Sequence, residues 1–282
     1  MGLAIKKFRQ DTSAVIGAIV VLVLLLTAMF APWLAPYPED VRKIHPGQRL
    51  WAPSWKHPFG TDDLGRDILS RVIFGTRVTI VIVFISTGVS MIIGVLIGIL
   101  AGYYPGWLSM GAMRIADIFL SIPQIVLAIA LAQALGPSIP NVILAIAITY
   151  WPLFARIVYS ETMSVKGRLF VEATLAIGAR NLRIIALHIF PNVLPSIIVR
   201  TTIGMGTVIL VAAVLGFLGV GAQPPSPEWG LMVANSREYL PEAWWFATFP
   251  GFAIFAVVMS FNLLGDGLRD IIDPKLRRSS RT

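Results

Sequence analysis

Apolar residues run along this chain in long, nearly charge-free blocks separated by short polar stretches. A helix needs about 20 apolar residues, rising 1.5 Å each, to cross a hydrocarbon core about 30 Å thick. The blocks supply that length repeatedly. Thr12–Pro38 holds a first span, roughly Ala14–Trp33. Val78–Met113 holds a second, about Val78–Gly102, then a Tyr103-Tyr104-Pro105-Gly106 turn and the start of a third. Ile118–Ala155 completes the third, turns at Gly136-Pro137-Ser138 and holds a fourth. Thr201–Pro227 holds the fifth and Ala243–Gly265 the sixth. The pattern predicts an all-α, polytopic membrane protein of six transmembrane helices, the third kinked at Pro123.

Composition agrees with this picture. Hydrophobic residues make up 56% of the chain and charged residues 13%, against about 25% charged in soluble domains. Mean hydropathy is +0.77. The net charge of +8 does not point to nucleic acid, because the basic residues flank apolar spans as the positive-inside rule requires. The absence of cysteine excludes disulfides and thiol nucleophiles. His45, His57 and His188 are far apart and lack acidic or cysteine neighbours at ligand spacing, so no metal site is expected.

Six spans put both termini on one side. Lys6, Lys7 and Arg9 precede the first span, and Arg269, Lys275, Arg277, Arg278 and Arg281 follow the last. Arg156, Lys166, Arg168, Arg180 and Arg183 of a later polar loop join them on the predicted cytoplasmic side. Against this stand Arg42, Lys43, Arg49, Lys56, Arg66, Arg71 and Arg77 between the first two spans. The basic start followed by an apolar run imitates a signal peptide, but the run exceeds the usual 7–15 residues and reads as a retained span.

The polar loop, about residues 160–192, interleaves Lys166, Arg168, Glu172, Arg180 and Arg183 with apolar residues. That pattern predicts one or two short amphipathic helices outside the bilayer. Glu172 would sit early in the first helix, where the helix dipole favours a negative charge. Gly178 would break or turn that helix, and Pro191 would end the second.

Glu172-Ala173-Thr174, then Gly178, then Pro191-Asn192, closely resembles the "EAA" loop of ABC-importer permeases, with Thr174 where alanine is usual. Further blocks sharpen the resemblance. They are His57-Pro58-Phe59-Gly60-Thr61-Asp62-Asp63-Leu64-Gly65-Arg66-Asp67, then Leu215-Gly216-Phe217-Leu218-Gly219-Val220-Gly221 with Gln223-Pro224-Pro225-Ser226-Pro227-Glu228-Trp229-Gly230, and Asn262-Leu263-Leu264-Gly265-Asp266-Gly267-Leu268-Arg269-Asp270 with Asp273-Pro274. Together they resemble the C-type permease of the dipeptide/oligopeptide/nickel class of ABC importers.

The resemblance implies a type I importer permease fold, with residues 1–76 as tail, first span and periplasmic segment and 77–282 as a core of five spans. It implies a B-type permease, two ATP-binding subunits and a periplasmic solute-binding protein as partners. It also implies the bacterial inner membrane as location, with no cofactor in this chain and ATP and Mg held by the ATPase partners. Glu172, Ala173, Thr174, Gly178, Arg180, Pro191 and Asn192 would form the ATPase-coupling loop. Gln223, Pro224, Pro225, Glu228, Trp229 and Gly230 would form an outer lid facing the binding protein.

The residues themselves bear on energy supply. A phosphate-binding loop ends Gly-Lys-Ser/Thr, yet the six lysines follow Ile5, Lys6, Arg42, Trp55, Val165 and Pro274. An ATPase would therefore have to be another chain. A secondary transporter would show related halves with broken helices, and no internal repeat is seen. A membrane enzyme would need a motif such as His-Glu-x-x-His or Gly-x-Ser-x-Gly, and neither is present.

Three features carry two readings each. Ser90, Gly94, Gly98 and Gly102 recur every fourth residue, either packing within the subunit or facing a partner permease. Arg114 and Asp117, at i and i+3 in the third span, form either a structural ion pair or a substrate or proton site. Trp229, Trp244 and Trp245 are either an interfacial aromatic belt or part of the outer lid.

Overall fold

The computed structural model describes residues 11–272. The basic residues before Asp11 and those from Lys275 onward lie outside that range, as does Asp273-Pro274. In chain order the helices are α1 (Thr12–Leu34), α2 (Ile68–Tyr103), α3 (Trp107–Ser121), α4 (Gln124–Leu135) and α5 (Ile139–Lys166). They continue with α6 (Leu169–Ala176), α7 (Asn181–Phe217), α8 (Trp229–Ser236) and α9 (Trp244–Ile272). Among the described residues there is no β-strand beyond an isolated bridge between Thr61 and Asp67. Five helices are long and apolar enough to cross a membrane, and α3 with α4 supplies a sixth if the bent pair counts as one span.

That third span is broken rather than kinked. α3 and α4 meet at 92°. Pro123 cannot donate a backbone hydrogen bond, and its ring pushes the preceding residue out of helical geometry. Ile122 accordingly has φ −98° and ψ 131°.

Two helices begin well before the predicted spans. α2 begins ten residues before Val78 because Asp67 caps it, its carboxylate accepting from the Ser70 backbone N–H at 2.7 Å. Its 36 residues make it about 54 Å long, so it crosses the bilayer and extends beyond it. The division expected at 76/77 falls inside this helix. α7 begins at Asn181, well before Thr201, and passes through a π turn at Ile185–Ile189.

The small-residue strip of α2 packs within the subunit. A Cβ on Gly94 would lie 2.5 Å from the Phe154 Cβ and the Trp151 carbonyl oxygen, and one on Gly98 2.7 Å from the Ala155 carbonyl oxygen. One on Gly102 would meet Thr162 at 2.8 Å. Ser90 donates to the Ala147 carbonyl at 3.2 Å. Glycine here lets the α2 and α5 backbones approach until side chains interlock, the main source of association where lipid is as apolar as the helices. Tyr150, Phe154, Ile146 and Val142 of α5 are buried in the core so formed.

α1 lies against α9, where Gly17 meets the backbone of Ser260 and Leu264. Pro32 within α1 leaves the Ala28 carbonyl without its helical donor. Arg77 of α2 supplies one, Nε to the Ala28 oxygen at 2.6 Å and Nη2 to Met29 at 3.0 Å. One arginine thus repairs a proline-broken turn and ties α1 to α2.

Candidate coupling site

The 160–192 segment folds as α6 and the first turns of α7, set across the end of the bundle. Glu172 lies in the first turn of α6, where an acidic side chain is favourable. It is exposed and forms no ion pair among the described residues. Thr174 donates its hydroxyl back to the Phe170 carbonyl at 2.7 Å.

α6 ends in a Schellman motif. Ala179 N–H reaches the Thr174 oxygen at 3.3 Å and Gly178 N–H the Leu175 oxygen at 2.9 Å, with Gly178 at φ +80°. Glycine alone adopts that conformation without penalty. Arg180 then stands at the start of α7 in an extended conformation, exposed.

Pro191 does not end the second helix. It sits in the first turn of the segment Phe190–Phe217, and the chain is helical on both sides of it. The π turn immediately before it supplies the reason. A local i→i+5 register alters the hydrogen-bond ladder where proline has no N–H to give. Asn192 donates its side-chain amide to the His188 carbonyl at 2.8 Å. The second half of the loop is therefore continuous with the long apolar helix Asn181–Phe217.

A small core holds the segment to the bundle. Val171, Ile184 and Ile189 are fully buried against Val95, Ile99 and Tyr103 of α2, Val158 and Val165 of α5, and Val193 and Ile197 of α7. Burying each of these side chains contributes about 1.5–3 kcal/mol. Polar ties join in: Lys166 Nζ donates to the Tyr103 carbonyl at 2.7 Å, and the Tyr103 hydroxyl reaches Asn181 at 3.0 Å. Sequence reasoning missed these ties, because nothing local in the chain signals that residues 103, 166 and 181 meet.

The opposite face of the segment is apolar and open. Leu169 (83%), Ile177 (84%) and Leu182 (76%) are among the most exposed large apolar side chains outside the spans. Such a patch, rimmed by Arg168, Glu172, Arg180 and Arg183, has the form of a protein-docking surface.

At the other end of the bundle the 57–71 block is a buried polar knot. His57 Nδ1 meets Asp67 at 2.9 Å, Arg66 Nε donates to Asp62 at 2.7 Å, and Asp62, Asp67, Arg66 and Arg71 are all buried. Arg71 donates to the carbonyls of Val41 (2.7 Å), Pro225 (3.4 Å) and Ser226 (3.2 Å). It therefore binds the segment between α1 and α2 to the loop before α8.

The expected outer-lid residues sit around that arginine. Trp229 is buried and donates to the Val72 carbonyl at 3.0 Å. Gly230 packs against the backbone of Ala213. Glu228 caps α8, accepting from Gly230 N–H (2.8 Å) and Leu231 N–H (2.7 Å). Burial pushes its carboxyl up to about 7, against the two N–H bonds that pull it down. Gln223 donates to the Gly219 carbonyl at 3.1 Å and, with Pro224 and Pro225, stays exposed. Trp229 and Trp245 are buried, which removes them from an interfacial belt, and Trp244 is exposed.

The expected pair of Arg114 with Asp117 is corrected. Asp117 is taken by Arg156 of α5, Nε to Oδ1 at 2.7 Å. Arg156 thus belongs to the interior of a span and not to the polar loop. The i, i+3 spacing made a local pair natural, but α3 and α5 lie side by side and the cross-helix partner wins. Arg200 was also overlooked as a charge within a span; it lies in α7 with its guanidinium carbon 5.6 Å over the Tyr150 ring.

Residues 94–278 match the family described as binding-protein-dependent transport system inner membrane component. Residues 1–53 match the N-terminal TM domain of oligopeptide transport permease C. The dipeptide transport system permease protein DppC of Alkalihalophilus pseudofirmus is 46% identical over 274 residues, covering 97% of this chain and 90% of that protein. The glutathione transport system permease protein GsiD of Escherichia coli O1:K1 / APEC is 45% identical over 276 residues, covering 96% and 89%. Among solved structures, an inward-facing conformation of the MetNI methionine ABC transporter aligns with a TM-score of 0.58 at 22% identity, over 72% of this chain and 96% of that one. The likeness is one of fold, that of a type I ABC-importer permease. With its family match running through the coupling segment and its N-terminal match to permease C, this chain belongs to the binding-protein-dependent transport system inner membrane components, as a C-type permease of an ABC importer.

Proposed function

We propose that the chain is half of the membrane pathway of an ATP-driven importer for peptides, delivered by a periplasmic binding protein. The carrying observation is the 160–192 segment: apolar and open on one face, buried against α2, α5 and α7 on the other. Relatives named for dipeptide and glutathione transport support a peptide or peptide-like solute. A B-type permease would complete the pathway, and two ATP-binding subunits would supply ATP and Mg. No covalent chemistry is assigned to this chain.

In this reading both termini and residues 160–192 face the cytoplasm, and 37–77 with 221–242 face the periplasm. ATP-driven closure of the ATPase pair pushes on Leu169, Ile177 and Leu182, with Glu172 as the negative contact. From Leu182 the push passes into α7 directly, since the second half of the loop and the span are one helix, and from Leu169 and Ile177 it passes through the Gly178 turn. The path then opens toward the binding protein, which meets the lid around Gln223–Gly230. This is alternating access between two packings of the same helices.

The test is uptake by vesicles carrying the whole importer, with co-purification of the ATPase. Glu172→Arg replaces attraction with repulsion on a side chain that touches no span. It is expected to abolish both readouts while the permease still inserts. Wild-type uptake and ATPase retention in that variant would sink the docking assignment. Orientation is checked by impermeant labelling of single cysteines placed at Lys56 and Lys166; periplasmic labelling at 166 but not at 56 reverses it.

A further inference from the structure

Between α3 and α5 lies a cleft of about 410 Å³, lined by Gly106, Met110, Arg114, Asp117, Arg156 and Tyr159 among others. Its charges do not cancel. Asp117 is engaged by Arg156, and Arg114 is exposed, with no ion pair among the described residues. The lining therefore carries one net positive charge.

Geometry directs that charge toward the membrane surface. Side chains on a helix lean toward its N-terminus, and the N-terminus of α3 is the Pro105–Gly106 corner, which also lines the cleft. Arg114 therefore reaches back toward the corner. Trp107, Met110 and Arg114 share one face at i, i+3 and i+7. Trp107 and Met110 are 77% and 62% exposed, an aromatic and an apolar side chain beside the cleft mouth. An interfacial tryptophan, an apolar wall and a single surplus arginine fit one occupant: a lipid whose phosphodiester carries one negative charge.

We propose that this cleft binds the phosphate headgroup of an anionic phospholipid, with Arg114 as its charge partner and Met110 and Trp107 against the acyl chains. The assignment to the inner leaflet rests on the orientation given under Proposed function. Phosphate is preferred over a peptide carboxylate because the lining reaches the Pro105–Gly106 corner between α2 and α3, one residue before Trp107. The Arg156–Asp117 pair shares the lining and keeps Arg156 from competing for the same anion.

The experiment uses the complete importer, permease pair with ATPases, in bilayer discs of phosphatidylcholine doped with phosphatidylglycerol. Bound phosphatidylglycerol is measured by lipid mass spectrometry after mild delipidation, and its affinity by titration. The expected result is one tightly held phosphatidylglycerol, its affinity reduced about tenfold in Arg114→Gln by loss of a charge-assisted hydrogen bond, with Arg114→Lys in between. Unchanged retention in Arg114→Gln overturns the site. Soluble glycerol phosphate displacing the lipid at equal concentration assigns the cleft to free phosphate and overturns the lipid. Displacement by a transported dipeptide makes it a solute site and overturns the proposal equally. Should Arg114→Gln fail to assemble, photoactivatable phosphatidylglycerol on the wild type decides: crosslinks at Trp107 or Met110 support the site, and crosslinks only elsewhere refute it. Impermeant labelling of a cysteine at Pro105 reads the leaflet separately, so a reversed orientation and a missing lipid site give different results.

Discussion

Gly178 separates what the coupling loop needs for its own fold from what a docked partner needs. It sits at φ +80° at the end of α6, and a Cβ built there meets nothing within 4 Å. Within this chain the cost of a side chain is therefore conformational alone. Left-handed geometry costs a non-glycine residue about 1–2 kcal/mol, a factor of roughly 5–30 in the population of the turn. Asparagine tolerates the conformation better than alanine or tryptophan. If the fold of the loop were all that mattered, uptake would rank Asn above Ala, with Ala and Trp alike.

A partner lying against the loop changes that order. Gly178 is flanked by Ile177 at 84% exposure, so a docked surface that covers Ile177 leaves no room for an indole beside it. Gly178→Trp should then lose ATPase co-purification and uptake altogether. Gly178→Ala should keep a reduced fraction of each, and Gly178→Asn should fall between. All three should insert in the membrane and melt within a few degrees of wild type, since no span is altered. The assay is vesicle uptake alongside ATPase retention on the tagged permease. Equal values for Gly178→Trp and Gly178→Asn would refute close approach of a partner to this turn.

Three further outcomes follow from packing and charge. Gly98→Leu forces α2 from α5, where a Cβ alone would stand 2.7 Å from the Ala155 oxygen; overpacking costs about 1–3 kcal/mol and should lower the melting temperature in detergent, whereas Gly111→Leu, with nothing within 4 Å, should not. Glu228 has its folded carboxyl raised from 4.5 to about 7, so the native state holds the proton more tightly than the unfolded chain. Stability is then full below about pH 4.5 and falls as pH rises to about 7, by an amount on the order of 3 kcal/mol; Glu228→Gln keeps one acceptor oxygen for the two N–H groups of Gly230 and Leu231, so it should lower stability at every pH and flatten that slope in melting curves taken from pH 5 to 8. Arg71→Met removes the donor shared by Val41, Pro225 and Ser226 and leaves those carbonyls without it, so proteolysis in the outer segment should rise while assembly with the ATPase persists.

The spans were legible because a bilayer allows few solutions to runs of uncharged residues. The coupling segment was legible as a polar interruption, its turn marked by Gly178 and its dipole by Glu172. Boundaries were not. α2 starts at Ile68 because Asp67 and Ser70 cap it, a polar signal lying in what looked like loop. α7 runs unbroken past Pro191 because the π turn is a backbone event with no composition of its own. Arg114–Asp117 was paired from spacing, and only the lateral contact of α3 with α5 puts Arg156 in its place. The Ser90–Gly102 strip carried two readings, packing within the subunit or against a partner permease, and only α5 seen against it decides for the first.

Orientation shows what the fold adds to a count made on sequence. Seven basic residues between the first two spans weigh against placing that segment outside. The structure gives three of them a structural role. Arg66 is bound to Asp62 in a buried pair, Arg71 is buried among backbone carbonyls and Asp62, and Arg77 is spent on the Ala28 and Met29 carbonyls beneath Pro32. The positive-inside rule counts Lys and Arg near span ends and gives acidic partners little weight, so these contacts explain what the arginines do at this end of the fold. Of the remaining four, Arg49 stacks over Tyr239 and Lys56 over Trp51, so each is engaged by an aromatic ring on the same end of the molecule. On the opposite end Arg168, Arg180 and Arg183 are exposed and form no ion pair among the described residues. Arg66, Arg71 and Arg77 thus have structural work at the end of the bundle opposite the 160–192 segment, which accounts for their presence there whichever side that end faces.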